Sequence, residues 1–149
     1  MLKSIGQAGH ALAWALAGVM AAPFVAEAWA IWALPFGLSP AAAAWVLSLN
    51  AALLVCMTAG FRTVYSARAG GLTPSIVGIS VVPAAVACGA AVAASALGFH
   101  WVFVLLLGAL AVQGAWDVSD YAVPEVLRQM RAIVFVAAVL SLLAGLIGS

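Results

Sequence analysis

The sequence predicts an all-α fold: a polytopic transmembrane helical bundle of five spans, N-terminus in the cytoplasm and C-terminus outside. Three observations predict it. The composition is 68% hydrophobic and 6% charged, where a soluble domain averages about 45–50% and about 25%. The apolar residues fall into runs near the roughly 20 residues that a membrane-spanning helix needs, parted by proline and glycine. The basic residues occur only in alternate connections between those runs. A globule of this size must turn much of its surface to water, so a mean hydropathy of +1.26 excludes the soluble enzyme classes. Disorder, which needs low hydrophobicity and high net charge, is excluded with them.

The first span is read over 11–36, broken by Pro23 and carrying Glu27. The second covers 40–61 and the third 74–98, with Pro40 and Pro74 in first turns, where a helix tolerates proline. The fourth, 101–116, is short for a crossing. The fifth covers 132–148, preceded by a short cytoplasmic interfacial helix over about 120–131. There Ser119 or Asp120 serves as cap, with acidic residues early and basic residues late. Gly37, Gly70, Gly71 and Gly98 mark chain reversals. The start also reads as a signal peptide with a small-x-small site at Ala26-Glu27-Ala28. Retention is the expectation, because the apolar run continues through Trp29 to Phe36, which a signal peptide does not need.

Charge sets the orientation. Lys3 precedes the first span, Arg62 and Arg68 lie between the second and third, and Arg128 and Arg131 between the fourth and fifth. With five alternating spans all of these fall on one side, as the positive-inside rule requires; four spans would divide them. Trp101, Trp32 and Trp45 then fall at or near the outer boundary and Trp14 and Trp116 near the inner one, where tryptophan collects. The expected location is a multi-pass site in a bacterial inner (cytoplasmic) membrane. A net charge of +1 recruits no nucleic acid; the partners are the lipid bilayer and other membrane subunits or copies of the chain.

Helices in lipid associate by close packing rather than by hydrophobic burial. Ala87, Ala91 and Ser95 form one ridge of small residues on the third span, and Gly89 and Ala93, with Ala85, another. That density predicts a central third span; the fourth, with Val102 to Leu107 large and apolar, reads as facing lipid or a partner. Pro83 is expected to kink the third span.

Polar groups at depth are costly and so are functional candidates. Counting about 1.5 Å per residue from Gly37, Pro40 and Trp101 puts Glu27 and Asn50 roughly 15 Å below the outer boundary and Gln113 roughly 18 Å. This is one polar layer on three spans. No Lys or Arg lies at the depth of Glu27, so its neutral form is expected, able to donate to Asn50 or Gln113. Pro23, one turn earlier, could open the helix as in broken transporter helices. The same counting sets Cys56 low and Cys88 high, in opposite leaflets, as two free thiols beyond disulfide reach. His10 and His100 lie on opposite faces and cannot share a metal or haem. Asp117, Asp120 and Glu125 read as a solvated, salt-linked turn.

No nucleophile–base pair, metal-ligand spacing or phosphate loop is present, no cofactor is named, and an enzyme is not expected. The leading expectation is a small membrane subunit acting by helix packing in a larger or homo-oligomeric envelope complex. The second is a small oligomeric transporter or channel lined by Glu27, Asn50 and Gln113. The third is a quinone- or lipid-binding anchor of a redox complex, with Trp29, Trp32 and His100 against a ring-shaped ligand on the outer side.

Overall fold

In the computed structural model the described residues are 2–33, 37, 39–68, 70–71, 73–119 and 125–148. Among them are six helices and no strand: α1 (Leu2–Ala33), α2 (Pro40–Arg68), α3 (Pro74–Val92), α4 (Ala94–Leu97), α5 (Phe99–Ser119) and α6 (Glu125–Gly148). All but the single turn α4 are long and apolar enough to cross a membrane, which suggests a membrane protein.

The helix starts follow from local chemistry. Ser39 precedes Pro40, and its hydroxyl accepts from the Ala42 amide at 3.1 Å. Thr73 precedes Pro74 and accepts from the Ile76 amide at 3.4 Å. Each is a hydroxyl cap followed by a proline whose missing N–H costs nothing in the first turn. Gly70 and Gly98 have φ of 69° and 77°, a left-handed conformation that lets the chain reverse where a side chain would be strained. Pro23 and Pro83 lie inside α1 and α3. The helix runs on through both, so Pro23 does not break α1.

Several boundaries differ from those read in the sequence. α2 runs on beyond 61 to Arg68. The third apolar run is divided at Ala93, whose carbonyl accepts from both Ala96 and Leu97 at 2.9 Å, so its last turn is separate. The fourth starts earlier and ends later than 101–116. Its 21 residues rise about 31 Å, enough for a full crossing. From Glu125 onward the expected interfacial helix is the beginning of α6 itself; positions 120–124 lie outside the described residues.

Each helix packs on its neighbours in a closed ring: α1 on α2, α2 on α3, α3 on α5, α5 on α6, and α6 back on α1, with α2 and α5 also meeting across the middle. Trp32, near the end of α1, donates its indole N–H to the Ala144 carbonyl near the end of α6, at 3.2 Å. Met20 of α1 lines one cavity with Met130 and Val134 of α6. The first and last helices are therefore parallel, as an odd number of long helices in alternating directions requires.

The centre is not the third apolar run. Leu47, Ala51 and Val55 of α2 and Val102, Phe103, Leu106 and Leu110 of α5 are at most 1% exposed. α3 contributes Ser80, Pro83 and the ridge Ala87, Ala90 and Ala91, and α4 adds Ala94. Small residues cover every face of α3, so their density does not select a packed one. On α5 the large side chains at 103, 106 and 110 form a stripe at helical spacing, which reaches across the bundle and fills it.

Among the described glycines the least room is at Gly145 on α6. A Cβ there would stand 2.9 Å from Phe103 Cε2 and 3.3 Å from Ile31 Cδ1, whereas one at Gly18 meets nothing within 4 Å. Gly145→Val should therefore destabilise the bundle by about 1–3 kcal/mol through overpacking, and Gly18→Val should change it by no more than about 0.5 kcal/mol. Unfolding of the two purified variants in a denaturing-detergent titration checks this.

Candidate functional site

The polar side chains of the helices gather at two levels, not one. At the first, Asn50 of α2 donates its amide N–H to Glu27 Oε1 of α1. The other carboxyl oxygen, Oε2, is buried and makes no hydrogen bond among the described residues. Glu27 lies on the wall of a groove between α1 and α2 that Pro23, Ala26, Ala30, Ala42, Ala43 and Val46 complete. Ala26 and Ala42 are exposed, Ala30 and Ala43 buried. The groove is thus open at its rim, walled by methyl groups, and polar only at the acid. A carboxyl held this way has one oxygen engaged and one left to accept from a donor, or to donate when protonated.

Gln113 belongs to the second level. Its side chain is fully buried, and its amide nitrogen stands 3.5 Å from the carbonyl oxygens of Ile79 and Ser80. Its backbone carbonyl accepts from Arg62 Nη2 at 3.2 Å. The single layer of Glu27, Asn50 and Gln113 is thereby corrected. The helix ends explain why. Glu27 stands level with its partner Asn50, ten residues into α2, about 15 Å. α5 starts at Phe99, fourteen residues before Gln113, about 21 Å. Counts taken from unequal boundaries cannot be compared.

Arg62 is the residue that sequence reasoning misplaced most. Read as a loop cation, it is only 3% exposed on α2, with its guanidinium carbon 5.8 Å from the centre of the Trp116 ring, within cation–π range. Thr58 is also buried, and its hydroxyl bonds back to the Leu54 and Val55 carbonyls. A signal existed: Thr58 and Arg62 are four residues apart and so share one helical face, and the arginine stem can lie along apolar surface. Ser80 Oγ and Gln113 Oε1 complete this level as buried atoms without a hydrogen bond among the described residues.

The remaining candidates are dispersed. Trp29 and Trp32 are exposed; Trp32 lies on the α1–α6 seam through its bond to Ala144. His100 is exposed and meets Trp101 edge-on, ring centres 5.8 Å apart. Of the small residues on α3, Ala87 and Ala91 are buried, Ala93 is half-buried, and Gly89 is exposed, as is Ser95 beyond it in α4. Glu125 accepts from Gln129 Nε2 at 3.3 Å. The side chains of His10, Asp117 and Asp120 lie outside the described residues. Among those described, no three His, Cys, Asp or Glu side chains stand close enough to hold a metal ion.

The two cysteines require a correction. Cys56 Sγ and Cys88 Sγ are 3.3 Å apart, not in opposite leaflets. α2 and α3 form an antiparallel hairpin, in which residues equally far from the turn stand side by side. Cys56 is twelve residues before the end of α2 and Cys88 fourteen after the start of α3. Measured from their common turn, they share a level.

No family model matches the chain, and neither a curated protein nor a solved structure matches it.

The Glu27–Asn50 contact can be tested directly. Asn50→Ala leaves both carboxyl oxygens without a donor and should destabilise the protein by about 1–2 kcal/mol. Glu27→Gln keeps a carbonyl oxygen for Asn50 to bond and should cost less than half as much. Detergent unfolding of the two variants beside the parent checks the order.

Proposed function

We propose that the protein is a small multi-pass membrane subunit that acts by helix packing against membrane-embedded partners, in a larger envelope complex or as a homo-oligomer. The observation that carries this reading is the groove of Glu27. A carboxyl oxygen without a donor is costly at depth in a bilayer. Hydrocarbon can cover the alanines beside it but cannot bond to the acid. Small residues admit a second helix to close approach, and a hydrogen-bond donor on that helix would bond the acid once the side chain turns its buried oxygen toward the rim.

In this reading the start of α1 is cytoplasmic and the end of α6 outside, in a bacterial inner membrane. Arg62 and Arg68 lie in the last two turns of α2, Arg128 and Arg131 in the first two of α6. The Arg131 guanidinium lies 5.6 Å from the centre of the Phe61 ring, so both basic segments gather at one end of the bundle. The cytoplasmic side is where such residues collect. A reporter fused after Ser149 should be active only on the outer side; activity on the cytoplasmic side would overturn the orientation.

The partner reading is tested by size. Extracted gently from its native membrane, the parent protein should run as a particle larger than a monomer. Ala26→Phe fills the groove but leaves Glu27 and Asn50 in place, and should reduce the particle to a monomer of unchanged thermal stability. A solitary parent monomer in mild detergent overturns the proposal. Proton or cation flux in liposomes, abolished by Glu27→Gln, would replace it with a conduit formed between protomers.

A further inference from the structure

The Cys56–Cys88 pair is unused by any contact described above, and its geometry is specific. The two thiols come from different helices, stand 3.3 Å apart and are both free. A disulfide has sulfurs about 2.05 Å apart, so closing it moves each sulfur by well under 1 Å, within reach of a small side-chain rotation. The partners are also unequal. Cys88 is exposed and Cys56 half-buried behind it, so one thiol faces what surrounds the bundle and the other stands ready to resolve it. Both lie far from the helix ends: Cys56 is sixteen residues from Pro40 and twelve from Arg68, about 24 and 18 Å.

We propose that Cys56 and Cys88 form a reversible dithiol–disulfide site, oxidised from the hydrocarbon side by a lipid-soluble two-electron acceptor of the quinone class. The proposal stands apart from the partner reading and needs only that the helices span a bilayer. At this depth water-borne oxidants and thiols such as glutathione are excluded by the hydrocarbon, whereas a quinone ring dissolves in it. In the step two S–H bonds break and one S–S bond forms. The two electrons and two protons released reduce the quinone to its hydroquinone, so nothing else is consumed. The product bond would join α2 to α3 across 32 positions of sequence.

The test uses the full-length protein reconstituted in liposomes and a short-chain 1,4-benzoquinone as the probe. After treatment and denaturation, the thiols that react with a maleimide should fall from two to zero per chain. Dithiothreitol added to the denatured protein should restore both. The product should run as a monomer on a non-reducing gel, and Cys56→Ala and Cys88→Ala should each keep their remaining thiol. Cysteine to alanine at these half-buried and exposed positions leaves the core untouched, and iodine treatment of the parent checks independently that the pair can close. Two thiols surviving the quinone overturn the proposal. So do a covalent quinone adduct by mass, or disulfide-linked dimers formed through Cys88 alone.

Discussion

In an apolar medium a helix satisfies its own backbone and leaves its neighbours no main-chain donor, only the second lone pair of a carbonyl. Joining one helix to the next therefore falls to side chains, and here they do it in two ways. Methyl groups and rings fill the middle: Leu47, Val55, Phe103, Leu106 and Leu142 are essentially unexposed. A few polar contacts pin the levels, Asn50 to Glu27, Trp32 to Ala144 and Arg62 to the carbonyl of Gln113. The first kind is tolerant of sliding, because alanine against alanine is much the same one turn up or down. The second is not, because a donor displaced by a turn has no acceptor. The polar contacts are thus the register marks of the bundle, whatever else they do.

The two polar levels differ in what they leave open. At the Gln113 level the groups belong to α2, α3 and α5, the helices that meet in the middle, and Arg62, Thr58, Ser80 and Gln113 are all buried. Such a cluster holds three helices at one height, with its polar groups turned inward. At the Glu27 level the contact joins α1 and α2 at the periphery, and the acid looks into a groove with an exposed rim. The same chemistry is structural when it faces inward and available when it faces outward. That difference in placement, rather than any difference in residue type, makes Glu27 the candidate and Gln113 the brace.

Composition made the existence of the helices legible, and proline, serine, threonine and glycine made most of their ends legible too. Pro40 and Pro74 start helices, and Gly70 and Gly98 reverse the chain. Rotation was not legible. Each long helix is apolar nearly all round, so no stripe announces which face turns inward, and the alanines of α3 misled for that reason. Depth was only partly legible. It depends on where each helix actually begins: α5 starts at Phe99 rather than Trp101, which sets Gln113 deeper than the Glu27–Asn50 pair. Of the candidate site, the Glu27–Asn50 pair was readable because those two residues flank one short connection. The burial of Arg62 was not, since a cation at the margin of an apolar run reads equally well as loop or as helix.

Counting from a shared turn, rather than from a supposed boundary, would have paired the cysteines at once. In a hairpin the error in each count is common to both strands of the comparison and cancels. Between helices that are not consecutive it does not cancel, and the error grows with each connection crossed. The same logic bears on α1 and α6. They are separated by every connection in the chain, yet they make a broad parallel seam closed by Trp32 and the packing of Phe103 and Ile31 around Gly145. No local rule sets that seam. It exists because an odd number of long helices in alternating directions brings the last back in the direction of the first, and because Gly145 leaves room for the ring and the isoleucine to meet there.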